Sequence, residues 1–181
     1  VNNSMVYASA RGGHVRELGY NWQANGFITG DLSLRAPHLF DNFLITDMAL
    51  AKAPLPIVWM ISSSGKLLGF TYVPEQGVGA WHQHDTDGKF ESVATVSEGN
   101  DDVVYCVIKR TINGASKKYI ERMGTRLYNT QRESFFVDAG ATYNGTNTDT
   151  NQNVTISGGT TYLRGASVTI TANYNLFNAP L

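Results

Sequence analysis

The chain has 181 residues, 14 Lys and Arg against 15 Asp and Glu, a formal net charge of −1 and a charged fraction of only 16%. Such a length can bury a core in one large or two small domains, and so small a net charge excludes a global electrostatic pull toward nucleic acid or an anionic membrane. No apolar run approaches the roughly 20 residues of a membrane span, and the N-terminal residues lack the basic and apolar regions of a signal peptide, so synthesis in the cytoplasm is expected.

In chain order, Val6 to Ala10 and Val15 to Tyr20 read as a hairpin around Arg11-Gly12-Gly13. Asp31 can cap one or two short helical turns over Leu32-Ser33-Leu34-Arg35 before Pro37 disturbs them, so one short helical segment is expected near 31–40. Residues 43–50 read as a strand leading to a second hairpin, Ile57 to Ile61 and Leu67 to Tyr72 around Ser63-Ser64-Gly65-Lys66. Further strands follow at 78–84 and, past Asp87-Gly88, at 90–96. A third hairpin pairs Val103 to Ile108, after Glu98-Gly99-Asn100, with Lys118 to Arg122 beyond Asn113-Gly114. The only cysteine, Cys106, lies in this apolar run, where it can form no internal disulfide and reads as a small buried hydrophobe.

The apolar–aromatic pairs Val6-Tyr7, Val58-Trp59 and Val104-Tyr105 recur at intervals of 52 and 46 residues (58 minus 6, 104 minus 58). A β-unit at that period is the mark of propeller blades. The expectation is therefore an all-β chain, with a partial β-propeller of four-stranded antiparallel blades over 1–124, a linker over 125–134 and a small, truncated β-rich domain over 135–181. In that last region Val154-Thr155-Ile156 and Val168 to Ala172 alternate in strand fashion. A propeller needs about four or more blades to close, and with roughly two and a half visible the chain reads as a piece of a longer polypeptide.

Residues able to carry chemistry are sparse. His82 and His84 share one face of a strand with Asp85 next to them, the nearest approach to a metal site, while His14 and His38 stand alone. The plainer reading packs Trp81 into the blade and leaves the histidines at a blade rim or subunit contact. Glu75, Asp85, Asp87 and Glu91 are turn carboxylates more suited to solvated caps than to acid–base pairs. The run Glu98-Gly99-Asn100-Asp101-Asp102 lacks the ligand spacing of a calcium loop and reads as an exposed turn. Gly12-Gly13 and Gly158-Gly159 read as turn glycines rather than phosphate cradles. Lys109, Arg110, Lys117 and Lys118 beside Tyr119 are a basic cluster that could touch a nucleic-acid backbone or, more simply, guard a sheet edge. Asn144 and Asn153 match glycosylation acceptors, which carry weight only in a secreted chain. Most aromatic residues sit where a core would claim them, and Tyr20 and Trp22 are the better surface candidates for stacking on a sugar. No catalytic residue, metal ligand or cofactor site is assigned.

Several strings carry a resemblance: Asp31-Leu-Ser-Leu-Arg-Ala-Pro-His-Leu-Phe40, Ile57-Val-Trp59, Gly65-Lys-Leu-Leu68, Thr71-Tyr-Val-Pro-Glu-Gln76, Ala80-Trp-His-Gln-His84, and Arg110-Thr-Ile-Asn-Gly114 with Tyr119-Ile-Glu-Arg122. Over about residues 4–123 the chain resembles structural proteins of tailed bacteriophages and prophages, related to tail nozzle or tail tubular proteins and to the DNA-stabilisation hubs of short-tailed phages. Phe136-Val-Asp-Ala-Gly140 followed by Tyr143 looks like the opening of the small β-domain that follows the propeller there. The resemblance implies a non-enzymatic virion tail protein. It implies a homo-oligomeric ring, a hexamer, that assembles with other tail proteins and through which DNA passes without sequence-specific binding. The rival expectations from the residues are a propeller module that binds a host glycan or receptor, and a propeller hydrolase.

Overall fold

The computed structural model describes residues 4–11, 13–125, 127–129 and 138–139. Two compact units divide the chain, one of residues 1–110 with 118–123 and the other of 111–117 with 124–181. Ten strands run through the described residues: β1 (Ser4–Ala8), β2 (Val15–Asn21), β3 (Gly26–Asp31), β4 (Ile45–Ala51), β5 (Ile57–Ser62), β6 (Leu67–Val73), β7 (Val78–His84), β8 (Lys89–Glu98), β9 (Asp101–Ile112) and β10 (Ala115–Arg122). They form a first sheet β1-β2-β3, a central sheet β4-β5-β6-β7 and a third sheet β10-β9-β8, each following chain order.

The all-β expectation holds, in three antiparallel sheets of three or four strands, and no closed barrel or propeller is identified among the described strands. Among those strands, four to a sheet are met in the central one alone. The hairpins expected at 6–20, 57–72 and 103–122 are present, with β9 and β10 longer than the apolar runs alone suggested. Expected strands 43–50, 78–84 and 90–96 correspond to β4, β7 and β8. Strand β3 was not expected, because Gly26 and Gly30 flank its short apolar run Phe27-Ile28 and disguise it as loop. The short helical segment lies later than its cap implied. Asp31 does receive the Ser33 amide at 2.9 Å, but the only helical turn there is 3-10, Pro37–Leu39. Proline begins it rather than breaking it, since its fixed φ and missing N–H suit a first helical position. The expectations for 130–137 and 140–181, including the strands at 154–156 and 168–172, lie outside the described residues.

Strands β2 and β6 are displaced by 52 residues at both ends (67 minus 15, 73 minus 21), and β3 and β7 start 52 apart (78 minus 26). Ser9 N–H donates to His14 O in the first hairpin as Ser62 N–H does to Lys66 O in the second. The first turn is thus one residue longer. The strands recur, but the pairs read from the sequence are one residue out of step: Val6 lies opposite Glu17 and Trp59 opposite Gly69, so Val6 corresponds to Trp59 rather than to Val58.

Every residue of β5 is buried. Its alternate side chains serve two cores. Ile57, Trp59 and Ile61 join Leu67 and, from the third sheet, Phe90, Val93, Val104, Cys106 and Ile108. Val58 and Met60 join Leu68, Phe70 and Tyr72 and meet Val15 of the first sheet with Leu39 and Phe40 of the 3-10 turn. A strand covered on both faces contributes twice, each large apolar side chain adding about 1.5–3 kcal/mol relative to exposure.

Polar links fix the sheets to each other. Asp47 of β4 accepts hydrogen bonds from Ser92 Oγ at 2.6 Å and Val93 N–H at 3.0 Å on β8, and from Met48 N–H at 2.9 Å. Asp102 accepts from the Lys52 and Ala53 amides at 2.6 and 3.1 Å, tying the start of β9 to the β4–β5 turn. On the other side the Tyr72 hydroxyl donates to Glu17 and Trp81 Nε1 donates to Leu32 O at 2.8 Å. Burial, then the hydrogen bond to Glu17 and that carboxylate's charge, raise the Tyr72 hydroxyl above the usual phenol range. Among the described residues no helix is long and apolar enough to cross a membrane.

Burial opposes the charge on Asp47, but the bonds from Ser92, Val93 and Met48 outweigh it and hold its carboxyl below the usual range. Asp47→Asn is expected to cost about 2 kcal/mol near neutral pH, charge-assisted hydrogen bonds being worth roughly 1.5–3, read as a lower urea midpoint. A folded-state value below the unfolded one means that this contribution is present above about pH 4 and lost as pH falls through the folded value. The Asn variant should then lose less stability than wild type between about pH 5 and pH 3; equal acid losses would remove Asp47 from this role.

Candidate functional site

His82 and His84 do share a face, the one turned toward Trp59, and both are half-buried there. His82 lies opposite Gly69 on β6, which lies opposite Trp59 on β5. A Cβ at Gly69 would sit 2.1 Å from the His82 ring, so the missing side chain is what lets the histidine lie across the sheet toward Trp59. Both His rings stand 5.4 Å from the Trp59 ring, and His82 Nδ1 is 3.0 Å from His84 Nε2, one ring donating and the other accepting. Asp85 turns away to Lys66 at 3.3 Å. Both histidines are half-buried on β7, an edge strand of the central sheet, with their rings directed at Trp59. Trp81 packs as expected, stacked on Phe70 at 4.3 Å and edge-on to Phe40 at 4.7 Å. Among the described residues no group of three or more His, Cys, Asp or Glu converges to hold a metal ion.

His14 does not stand alone. Its Nδ1 is 3.0 Å from Ser33 Oγ and 3.3 Å from Asp31, and its Nε2 is 3.8 Å from Asp41. Ser33 Oγ donates to Asp31 Oδ1 at 2.6 Å. The residue types are those of a hydrolytic triad, but the wiring is not. A nucleophilic serine needs the imidazole between itself and the carboxylate, one ring nitrogen to each, whereas here Ser33 and Asp31 crowd the same nitrogen and Ser33 is fully buried. Burial opposes the Asp31 charge, and the Ser33 hydroxyl and amide with His14 overcome it, holding the carboxyl below its usual range. The cluster ties the first turn to the end of β3. In the sequence only the Asp31-Leu32-Ser33 cap hints at it.

The basic cluster is broken up by pairing. Arg110 is 3% exposed. Its Nε and Nη2 grip the two Glu121 oxygens at 2.6 and 2.8 Å, and Nη1 donates to Asp87 O at 2.8 Å. Lys118 pairs with Glu91 at 2.6 Å. Lys109 and Lys117 remain exposed. Of the turn carboxylates, Glu91 and Asp85 are thus engaged by lysines. In the loosely calcium-like run, Glu98 takes Arg122 at 2.8 Å and the Tyr105 hydroxyl at 2.5 Å, while Asp102 takes backbone amides and Ser97. Gly13 is a turn glycine with φ +65, and a Cβ there would lie 1.9 Å from Phe43 O. Gly12, Gly158, Gly159, Asn144 and Asn153 lie outside the described residues.

The β2–β3 hairpin exposes a group of aromatic side chains. Tyr20, Trp22 and Phe27 are 57, 78 and 71% exposed. Ala24 N–H donates to Asn21 Oδ1 at 2.9 Å, Tyr20 OH to Asn25 Oδ1 at 3.1 Å, and Asn25 takes the positive φ of 49 that closes the turn. Tyr20 and Phe27 meet edge-to-face at 5.5 Å. Tyr20 and Trp22 were legible as surface aromatics, while Phe27 was missed with its strand.

The haemagglutinin-repeat family model matches residues 93–176. The matched span starts within β8 and takes in β9 and β10; most of its remainder lies outside the described residues. No curated protein matches the chain.

Burial, and secondarily the Glu121 carboxylate, push the Cys106 thiol up to about 12. Because the thiolate is the nucleophile, Cys106 is expected to resist iodoacetamide at pH 8 in the folded protein and to react once urea unfolds it. Full labelling of the native chain would contradict the packing of the third sheet.

Proposed function

We propose that the chain is a structural, non-catalytic part of a phage tail ring of nozzle or hub type, its sheets being blades of a β-propeller. It assembles with other tail proteins into a homo-oligomeric, hexameric ring and guides or retains DNA during ejection. The observation that carries this reading is the central sheet, buried on both faces between two sheets of the same hairpin design. Such a unit grows by stacking, and a head-to-tail contact between rigid subunits that closes by rotation makes a ring. Negative-stain microscopy of the full-length protein should show rings with a central channel, and a stable monomer in the presence of its tail partners would sink the proposal.

A second reading has its own support. The haemagglutinin-repeat match, a repeat found in large secreted adhesins, and the exposed aromatic hairpin suit recognition of a host glycan. Tyr20, Trp22 and Phe27 offer ring faces for stacking, and residues 19–30 carry no charged side chain. Glycan-array binding that Trp22→Ala abolishes would favour this reading, and silence on the array would end it.

A further inference from the structure

Alternation along β2 sends Val15 and Glu17 toward the central sheet, where Val15 joins the core and Glu17 accepts the Tyr72 hydroxyl. Arg16, Leu18 and Tyr20 therefore point the other way. Register places Met5 opposite Leu18 and Phe27 opposite Tyr20, so these side chains build one outward face. Met5, Tyr20 and Phe27 are all exposed on it. The displacement of 52 residues pairs Leu18 and Tyr20 with Phe70 and Tyr72 of the central sheet. Those two are buried against the first sheet, and Tyr72 finds its carboxylate there. Tyr20 instead turns its hydroxyl onto Asn25 in its own hairpin. Arg16 Nε, on the same face, is buried with no hydrogen-bond partner.

We propose that the outward face of the first sheet is a docking face for one further repeat of the same kind. The occupant is an antiparallel sheet that presents an apolar surface and a carboxylate opposite Tyr20. Its apolar side chains cover Met5, Leu18 and Phe27, and its carboxylate accepts from the Tyr20 hydroxyl, as Glu17 does from Tyr72. Its last strand lies antiparallel along β1 as β4 lies along β5. The edge residues fit that role. Strand β1 reads Ser-Met-Val-Tyr-Ala, with no lysine or proline of the kind that guards a free edge, whereas β10 carries Lys117, Lys118, Glu121 and Arg122. This docking rests on the reading of the sheets as stacked repeats and is indifferent to whether the array serves a tail or an adhesin, so failure to form rings leaves it standing.

The test is a chain in which residues 4–56 are inserted a second time directly ahead of Ser4, so that the added Glu17 faces the original Tyr20. Compared with the original chain, it is expected to bind severalfold less of the apolar dye ANS, to sediment as a monomer and to melt at a higher temperature. Glu17→Gln in the added copy alone should give back part of the gain in melting temperature. A folded tandem chain with unchanged dye binding and melting temperature would overturn the proposal, as would a dimer that survives the insertion. The original chain supplies an arm independent of tandem folding. There Tyr20→Asp with Phe27→Asp should remove most dye binding and any self-association while circular dichroism stays unchanged, and no change in dye binding would count against the docking face.

Discussion

Strand β5 is a run of six residues, Ile57 to Ser62, all of them buried, and the rest of the described fold follows from the need to cover it twice. Side chains of a strand alternate between faces, so one face sends Trp59 and its neighbours into one core while the other sends Val58 and Met60 into a second. Neither core could be closed by the central sheet alone. The first and third sheets exist, in energetic terms, as the two covers.

Apolar burial has no direction, so it does not say how a cover is rotated. The polar links supply that. Asp47 reaches from β4 to the Ser92 hydroxyl and Val93 amide on β8, Asp102 clasps the turn before β5, and Tyr72 and Trp81 reach to Glu17 and Leu32 on the opposite side. Each link joins a charged or polar atom to a donor or acceptor that would otherwise be desolvated without a partner. Gly69 is the corresponding steric device: without its bare Cα, His82 could not lie toward Trp59. Function, on the reading proposed above, resides in faces and edges, which is consistent with charged groups such as Arg110 and Glu98 being consumed in internal pairs.

Much of this was legible in the residues. The recurrence of Val-Tyr, Val-Trp and Val-Tyr marked equivalent strands, and Gly65 and Asn113-Gly114 marked the turns between them through their positive φ. Strand β3 escaped because glycines at both ends and a mere two apolar residues between them leave no periodicity to read. His14 escaped because Ser33 and Asp31 are nineteen and seventeen positions away (33 minus 14, 31 minus 14) and only the closure of the first sheet brings them together. The basic look of Lys109 to Lys118 misled for a related reason. Glu121 and Glu91 neutralise Arg110 and Lys118 from across strand pairs, a neighbourhood that linear spacing does not display.

The sequence by itself determined the all-β character, the positions of most strands and the repeat, because alternation, turn chemistry and period are local properties that each segment carries with it. Tertiary structure alone decided which face of each strand is inside, which carboxylate meets which amide, and that the paired histidines turn their rings to Trp59. Those outcomes depend on register and on what lies across the sheet, and a shift of one residue in pairing would have exchanged every inward side chain for an outward one. The aromatic hairpin shows both halves at once. Tyr20 and Trp22 announce an uncharged turn, but only the covered state of Phe70 and Tyr72, 52 residues on, gives the exposure of Tyr20 on the matching face its contrast.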